Sequence, residues 1–218
     1  SGGAASGGAG GTGGAGGSVW DDFNLSCDAT DDDADGFSEC DGDCDDTNSA
    51  ILPIVVDASV SAEGDGTPQN PYKTITRAAT GISSKPCRSI VLRPGVYSDS
   101  SVAVPYITST GGPSVTIWEP PAGQFAISYQ ATGNVTVRGI TIRSKGATPS
   151  RGINFLRPTS GTNWCGSLTV EASVLEGLSR AVFVTECVGT ISVRSNVFRN
   201  NSCPYDANYL NCGVITDR

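Results

Sequence analysis

Five stretches of the chain repeat one pattern of apolar and polar positions: Ser89-IVLRPG, Ser114-VTIWEP, Asn134-VTVRGITIRS, Ser167-LTVEASVLEG and Thr190-ISVRSNVFRN. Each opens on a small polar residue, alternates apolar and polar positions, and closes on a glycine or polar corner. A period of two predicts strands with one face turned into a core. The third copy turns Val135, Val137, Ile140 and Ile142 inward, with a change of phase at the Arg138-Gly139 corner, and the fourth turns Leu168 and Val170 inward. The copies start 25, 20, 33 and 23 residues apart. Short strands at that spacing, without long helical patterns between them, predict a solenoid. The widest gap predicts an inserted loop within residues 145–164, KGATPSRGINFLRPTSGTNW. SIVLRPGVY reads as a buried strand stopped by Pro94-Gly95. Upstream, PYKTITRAATGI puts Ile75, Ala78, Ala79 and Ile82 on one face and predicts a short amphipathic helix.

Charge divides the chain where the pattern begins. Residues 1–65 hold fifteen of the 22 acids and no base, whereas residues 66–218 hold seven acids and all fourteen bases, so the two parts carry −15 and +7. Three segments follow: a Gly-rich tether or assembly arm at 1–18 (SGGAASGGAGGTGGAGGS), an Asp-rich module at 19–56, and the solenoid at 57–218. The bases are scattered and aromatics are few, which argues against nucleic acid as a partner. No run of eighteen apolar residues exists, so no membrane-spanning helix is expected. A chain without Met or an apolar signal region reads as a processed mature form or an excised fragment. Eight cysteines in so acidic a chain point to an oxidising, secreted, extracellular or cell-surface setting. The absence of histidine removes Ser-His-Asp and Cys-His catalysis together with imidazole metal sites.

The densest chemistry lies in DDDADGFSECDGDCDD, residues 31–46, with nine carboxylates and no base. Two carboxylates about 5 Å apart repel by roughly 3 kcal/mol at an effective dielectric near 20, so a compact loop here requires a cation. Asp31, Asp33 and Asp35, spaced two apart and followed by Gly36, form a DxDxDG calcium loop in which alternate side chains wrap one ion and the Phe37 carbonyl ligates through the backbone. The twelfth position is Gly42 rather than Glu, so this is not an EF-hand, and Asp43, Asp45 and Asp46 close the shell instead. All-oxygen donors favour Ca²⁺ over zinc or copper, with one or two ions expected. Cys27, Cys40, Cys44 and Cys87 allow three pairings; Cys27–Cys40 with Cys44–Cys87 is preferred, the latter tying the module to the solenoid. Cys165 and Cys187 precede successive strands by two to three residues, within disulfide reach across ~4.8 Å of stacking. Cys203 and Cys212 then close a local loop.

GDGTPQNPYKTITRAA followed by IVLRPGVY, and the coils NVTVRGITIRS and VRSNVFRNN, resemble the right-handed parallel β-helices of the pectin-lyase-like superfamily over residues 57–218. The resemblance implies an all-β fold, a right-handed parallel β-helix with a short N-terminal helix cap and a small calcium-binding loop module. It says little about function, because that scaffold hosts lyases, hydrolases, adhesins and inert spacers. DADGF…CDGDCDDTNSAILP is similar to the Asp-rich metal-binding repeat of secreted bacterial surface proteins and, more distantly, to thrombospondin type 3 calcium repeats. That likeness carries Asp33, Asp35, Asp43, Asp45 and Asp46 over as ligands. The short SECDG insert departs from the usual spacer and leaves Glu39 and Asp41 out.

The seven acids of residues 66–218 include no adjacent pair, and Glu171 and Glu176 lie five apart around a corner. Arg138 and Arg194 hold equivalent positions with Glu171 between them, which reads as an external Arg-Glu-Arg ladder or as an arginine surface for an anionic polysaccharide. Trp164, Tyr205 and Tyr209 offer stacking platforms for sugar rings or cover a solenoid end. The favoured reading is a non-catalytic structural or adhesive protein, a calcium-stiffened β-helix that assembles head to tail into a surface filament or sheath through its arm. Two alternatives stay open: a calcium-dependent lyase or glycoside hydrolase acting on an acidic glycan, and a carbohydrate-binding module of a larger secreted protein.

Overall fold

The computed structural model describes residues 27–130, 133–156, 166–185 and 189–202. Fourteen strands and one short helix follow one another: β1 (Ile54–Val56), α1 (Ile75–Gly81), β2 (Ser89–Leu92), β3 (Gly95–Tyr97), β4 (Tyr106–Ser109), β5 (Thr116–Trp118), β6 (Phe125–Gln130), β7 (Val135–Arg138), β8 (Thr141–Arg143), β9 (Arg151–Leu156), β10 (Leu168–Glu171), β11 (Val174–Glu176), β12 (Arg180–Thr185), β13 (Ile191–Arg194) and β14 (Val197–Arg199). They form three sheets: β1-β2-β4-β7-β10-β13, then β3-β5-β8-β11-β14, then β6-β9-β12. Every strand pairing is parallel. From β4 onward the chain visits the first, second and third sheets in turn, and each visit adds one strand beside the last.

The register makes rows of like residues across the stack. In the first sheet Ile54, Ile90, Ile107, Val137, Val170 and Val193 stand in line. In the second, Tyr97, Trp118, Ile142, Leu175 and Phe198 do so. In the third, Ile127, Ile153 and Val182 line up beside the stacked rings of Tyr129 and Phe155, 6.3 Å apart. These rows meet in one core, and Trp118 is wholly buried with its indole N–H donating to the Asp99 carbonyl at 2.8 Å. The corner between first- and second-sheet strands needs a left-handed residue, met by Gly139 (φ 65°) in one copy and by Ala172 and Ser195 (φ 48° and 54°) in the next two. Helix α1 starts at Thr74, whose side chain accepts the Arg77 amide, and buries Ile75 and Ala78 against β1 and β2, with Ile82 buried in the short 3₁₀ turn that follows.

Several sequence-based expectations change here. The Ser114 repeat forms β5 of the second sheet, so its equivalence with the other four does not hold. The first-sheet strand of that coil is β4, in PYITST, where Tyr106 and Thr108 face outward and blur the alternation. The buried strand of SIVLRPGVY does stop before Pro94-Gly95, at Leu92, and GVY beyond the corner forms a separate strand, β3, in the second sheet. Part of the expected loop at 145–164 is β9, which the glycine and asparagine of RGINFL disguise. The third sheet has no counterpart in the repeat pattern at all. Ile54–Val56, assigned to the acidic module, pairs with β2 as the first strand of the longest sheet. The arm at 1–18, Trp164, Tyr205, Tyr209 and the cysteines at 165, 187, 203 and 212 lie outside the described residues. No helix among the described residues is long and apolar enough to cross a membrane.

Candidate metal centre

The acidic segment from Cys27 to Leu52 forms no helix or strand; it is a chain of bends and turns. Its aspartates make the turns themselves. Asp33 Oδ1 accepts the Asp35 amide at 3.1 Å, Asp35 Oδ1 the Phe37 amide at 2.9 Å, and Asp43 Oδ1 the Asp45 amide at 3.1 Å. This i to i+2 bond is the Asx turn, and it uses only one oxygen of each carboxylate. The second oxygens of Asp33, Asp35 and Asp43 are buried without a hydrogen-bond partner. Buried carboxylate oxygens left bare are costly, so they call for a cation.

Two groups of carboxylates gather around that need. Oxygens of Asp31, Asp33 and Asp35 lie within 4.8 Å of one another, as do oxygens of Asp33, Asp43 and Asp46. Asp33 belongs to both. Burial and the nearby charges of Asp33, Asp43 and Asp31 raise the Asp35 carboxyl above its ordinary range, offset by the Phe37 amide. Burial and the charges of Asp32, Asp43 and Asp31 raise Asp46, offset by the Asp32 amide. Both shifts express burial first and carboxylate crowding second, each of which a bound divalent ion would offset, and the all-oxygen donor set fits a hard cation. Because each folded-state value lies above the unfolded one, the metal-free loop bears a penalty that is full above the folded value and gone below the unfolded one. The chelated protein should therefore gain stability as pH falls from neutrality towards the carboxylate range, a trend thermal melts in chelator would read. A chelated protein whose melting point only fell over that interval would contradict the crowding.

The expected ligand set also named Asp45 and the carbonyl of Phe37, whose amide bonds Asp35 Oδ1. Asp45 belongs to neither, and its Oδ1 accepts the Thr47 hydroxyl at 2.8 Å. Phe37 buries its ring with Val55 and Val91, against Leu52. Cys27 is bonded to Cys40 and Cys44 to Cys87, so one bridge closes the loop and the other staples it beside β2.

Fold and loop meet on the outer face of the first sheet. Arg138, Glu171 and Arg194 stand side by side in register. Glu171 accepts Arg138 Nε at 2.9 Å and Arg194 Nε at 3.1 Å, and Arg138 Nη2 closes a second bond to it. The ladder is present but not external at its centre: Arg138 is 3% and Glu171 0% exposed, because the loop lies over them. Arg138 Nη1 donates to the Cys40 carbonyl at 3.2 Å and to the Tyr106 hydroxyl, which itself donates to the Glu39 carbonyl at 3.0 Å. Thr108 donates to the Cys40 carbonyl at 3.2 Å. Burial pushes the Tyr106 phenol up to about 12 against the pull of Arg138, so it stays protonated and keeps donating. Nothing in the linear pattern marked Tyr106 or Thr108 as loop anchors, because their strand, β4, was not among the repeat copies. A cleft of about 520 Å³ lies along this seam, lined among others by Asp32, Asp43, Asp46, Tyr106 and Arg138.

Gly42 shows how closely the loop sits. Its φ is 99°, and a Cβ there would lie 2.7 Å from Ser89 Oγ and 3.1 and 3.2 Å from methyl groups of Thr108 and Val91. Gly42→Ala combines left-handed strain with a collision against the sheet and should cost more than ~1 kcal/mol in urea unfolding. A cost under half of that would mean the loop rides loosely on the sheet. Comparison with family models, with curated proteins and with solved structures finds no match for this chain.

Proposed function

We propose that this chain is a non-catalytic extracellular protein, a right-handed parallel β-helix stiffened by calcium and used for surface structure or adhesion. The observation that carries the reading is the set of bare, buried oxygens on Asp33, Asp35 and Asp43, inside a loop latched across the longest sheet. Asp31, Asp33 and Asp35 would hold one ion, and Asp33, Asp43 and Asp46 a second. Bound calcium supplies the positive charge that lets these carboxylates stay together, which makes ion binding part of the folding free energy.

Other features support the same reading. The rotation of strands through three parallel sheets is what a β-helix requires. Two disulfides suit an oxidising compartment. The described acids of the sheets are engaged by structural partners: Glu171 by two arginines, Glu119 by Arg143 at 2.7 Å and Lys145 at 3.6 Å, Glu176 by Arg199 at 3.5 Å, and Asp99 by the Thr76 amide at 2.9 Å. The −15 and +7 halves favour head-to-tail association of copies, with the arm at 1–18 as a further contact. Calorimetric titration with Ca²⁺, Mg²⁺ and Zn²⁺, paired with light scattering at low and high salt, tests the proposal. Preferential uptake of Ca²⁺ and salt-sensitive association are expected. Preference for Zn²⁺, or turnover of a uronate polymer by the purified protein, would overturn it.

A further inference from the structure

The outer face of the second sheet carries two unlike rows. Alternation sends Tyr97, Trp118, Ile142 and Leu175 into the core and the residues on either side of each outward. In one row Val96, Ile117, Thr141, Val174 and Val197 stand in register across β3, β5, β8, β11 and β14. Val96 and Val197 are 54% and 49% exposed. Thr141 adds no free polar group between them, because its hydroxyl donates to the Pro113 carbonyl at 2.6 Å. The other row, one inward residue further along each strand, reads Glu119, Arg143, Glu176, Arg199, so its charge alternates along the stack. Arg143 reaches Glu119 at 2.7 Å and Arg199 reaches Glu176 at 3.5 Å. An exposed apolar row bordered by charges has the make-up of a contact surface.

We infer that this face binds a second copy of the chain, turned about a two-fold axis that runs parallel to the strands between β8 and β11. The order of charges selects both the partner and its orientation. That rotation lays each row over its own kind and reverses the strand order, so acid, base, acid, base meets base, acid, base, acid. Arg143 then opposes the partner's Glu176, and Glu176 the partner's Arg143. A two-fold along the stack would lay the apolar row over the charged one instead. Glu119 is already enclosed by Arg143 and Lys145, with its side chain 9% exposed, so the central contact, made twice, carries the recognition. Five short strands spaced ~4.8 Å apart offer much less than the ~800 Å² per partner of a standard interface, so the pairing is weak and reversible. It is isologous and closes at two copies, unlike the head-to-tail contact, and it is independent of the cation reading.

Sedimentation equilibrium of the whole chain in Ca²⁺, up to about 1 mM protein, tests it with Glu176→Arg and Arg143→Glu. Each variant should associate roughly tenfold or more weakly than wild type, because like charges then face each other twice. An equimolar mixture of the two should recover the association, since each variant supplies the charge that the other has lost. Recovery of that kind cannot come from a variant that fails to fold. Val174→Asp, in the apolar row, should weaken association and be rescued by neither variant. A wild type that stays monomeric overturns the inference, as does a mixture no stronger than its components. Opposite effects of the two charge variants overturn it too, because net charge acting on a head-to-tail contact would produce them.

Discussion

Asp43→Asn should abolish most of the thermal stabilisation expected from added Ca²⁺ under the proposed reading, while leaving the chelated protein as stable as before or more so. Asp43 is nine-tenths buried, its Oδ1 holds the Asp45 amide, and its Oδ2 has no partner. An amide keeps the shape and the turn but removes the charge that a cation requires. A ligand that binds only the folded state stabilises it by about 2.7 kcal/mol at a hundred times its dissociation constant. For a chain of this size each kcal/mol moves the melting point by roughly 2–4 °C, so the wild type should shift by about 5–10 °C in calcium. The variant should lose nearly all of that shift. In chelator the same change removes one like charge from the crowd around Asp33 and Asp46, which is why it should not destabilise the metal-free protein. Asp45→Asn is the control, because Asp45 lies outside both carboxylate groups and turns to Thr47. An Asp43 variant with an undiminished calcium shift, or an Asp45 variant that loses it, would refute the arrangement.

Glu171→Gln should be the most damaging single substitution on the outer face of the first sheet. Glu171 is wholly buried between Arg138 and Arg194. Neutralising it leaves Arg138 buried with its charge uncompensated, a change that typically costs 3–5 kcal/mol, about 6–20 °C here. The damage should spread to the loop, because Arg138 also holds the Cys40 carbonyl and the Tyr106 hydroxyl. Arg194→Gln should cost far less: its side chain is 40% exposed, so solvent screens the pair and can receive what is lost. Urea unfolding of the two variants reads the asymmetry. Equal and small losses would mean that the ladder is a surface ornament and that the loop docks without it.

The ladder also marks the limit of sequence reading. The positions of Arg138, Glu171 and Arg194 within their repeats were enough to align them, since a parallel stack puts equivalent positions side by side. What covers them was not legible, because burial of that face depends on a loop about a hundred residues earlier in the chain. The carboxylates divide the same way. The alternate spacing of Asp31, Asp33 and Asp35 is a local signal and survives as one group. The second group joins Asp33 to Asp43 and Asp46 across the bend at Gly36 and Gly42, and no spacing rule separates Asp46 from Asp45. Strands of the third sheet escaped notice although Ser128 and Asn154 alternate with apolar neighbours, because FAISYQ, RGINFL and RAVFVT fall between the repeat copies and share no common pattern with them.

Local order, then, was written in the residues themselves. Period-two alternation set which side chains of most first- and second-sheet strands face the core, Thr74 and the spacing of Ile75 and Ala78 set the helix, and DxDxDG set a loop crowded with negative charge. Contacts between distant segments were decided only by folding: the third sheet and the seating of the acidic loop on Tyr106, Thr108 and Arg138. The reason is physical. Alternation and turn preference are free energies of neighbouring residues, whereas docking a loop on a sheet depends on which surfaces the whole stack brings within hydrogen-bonding distance.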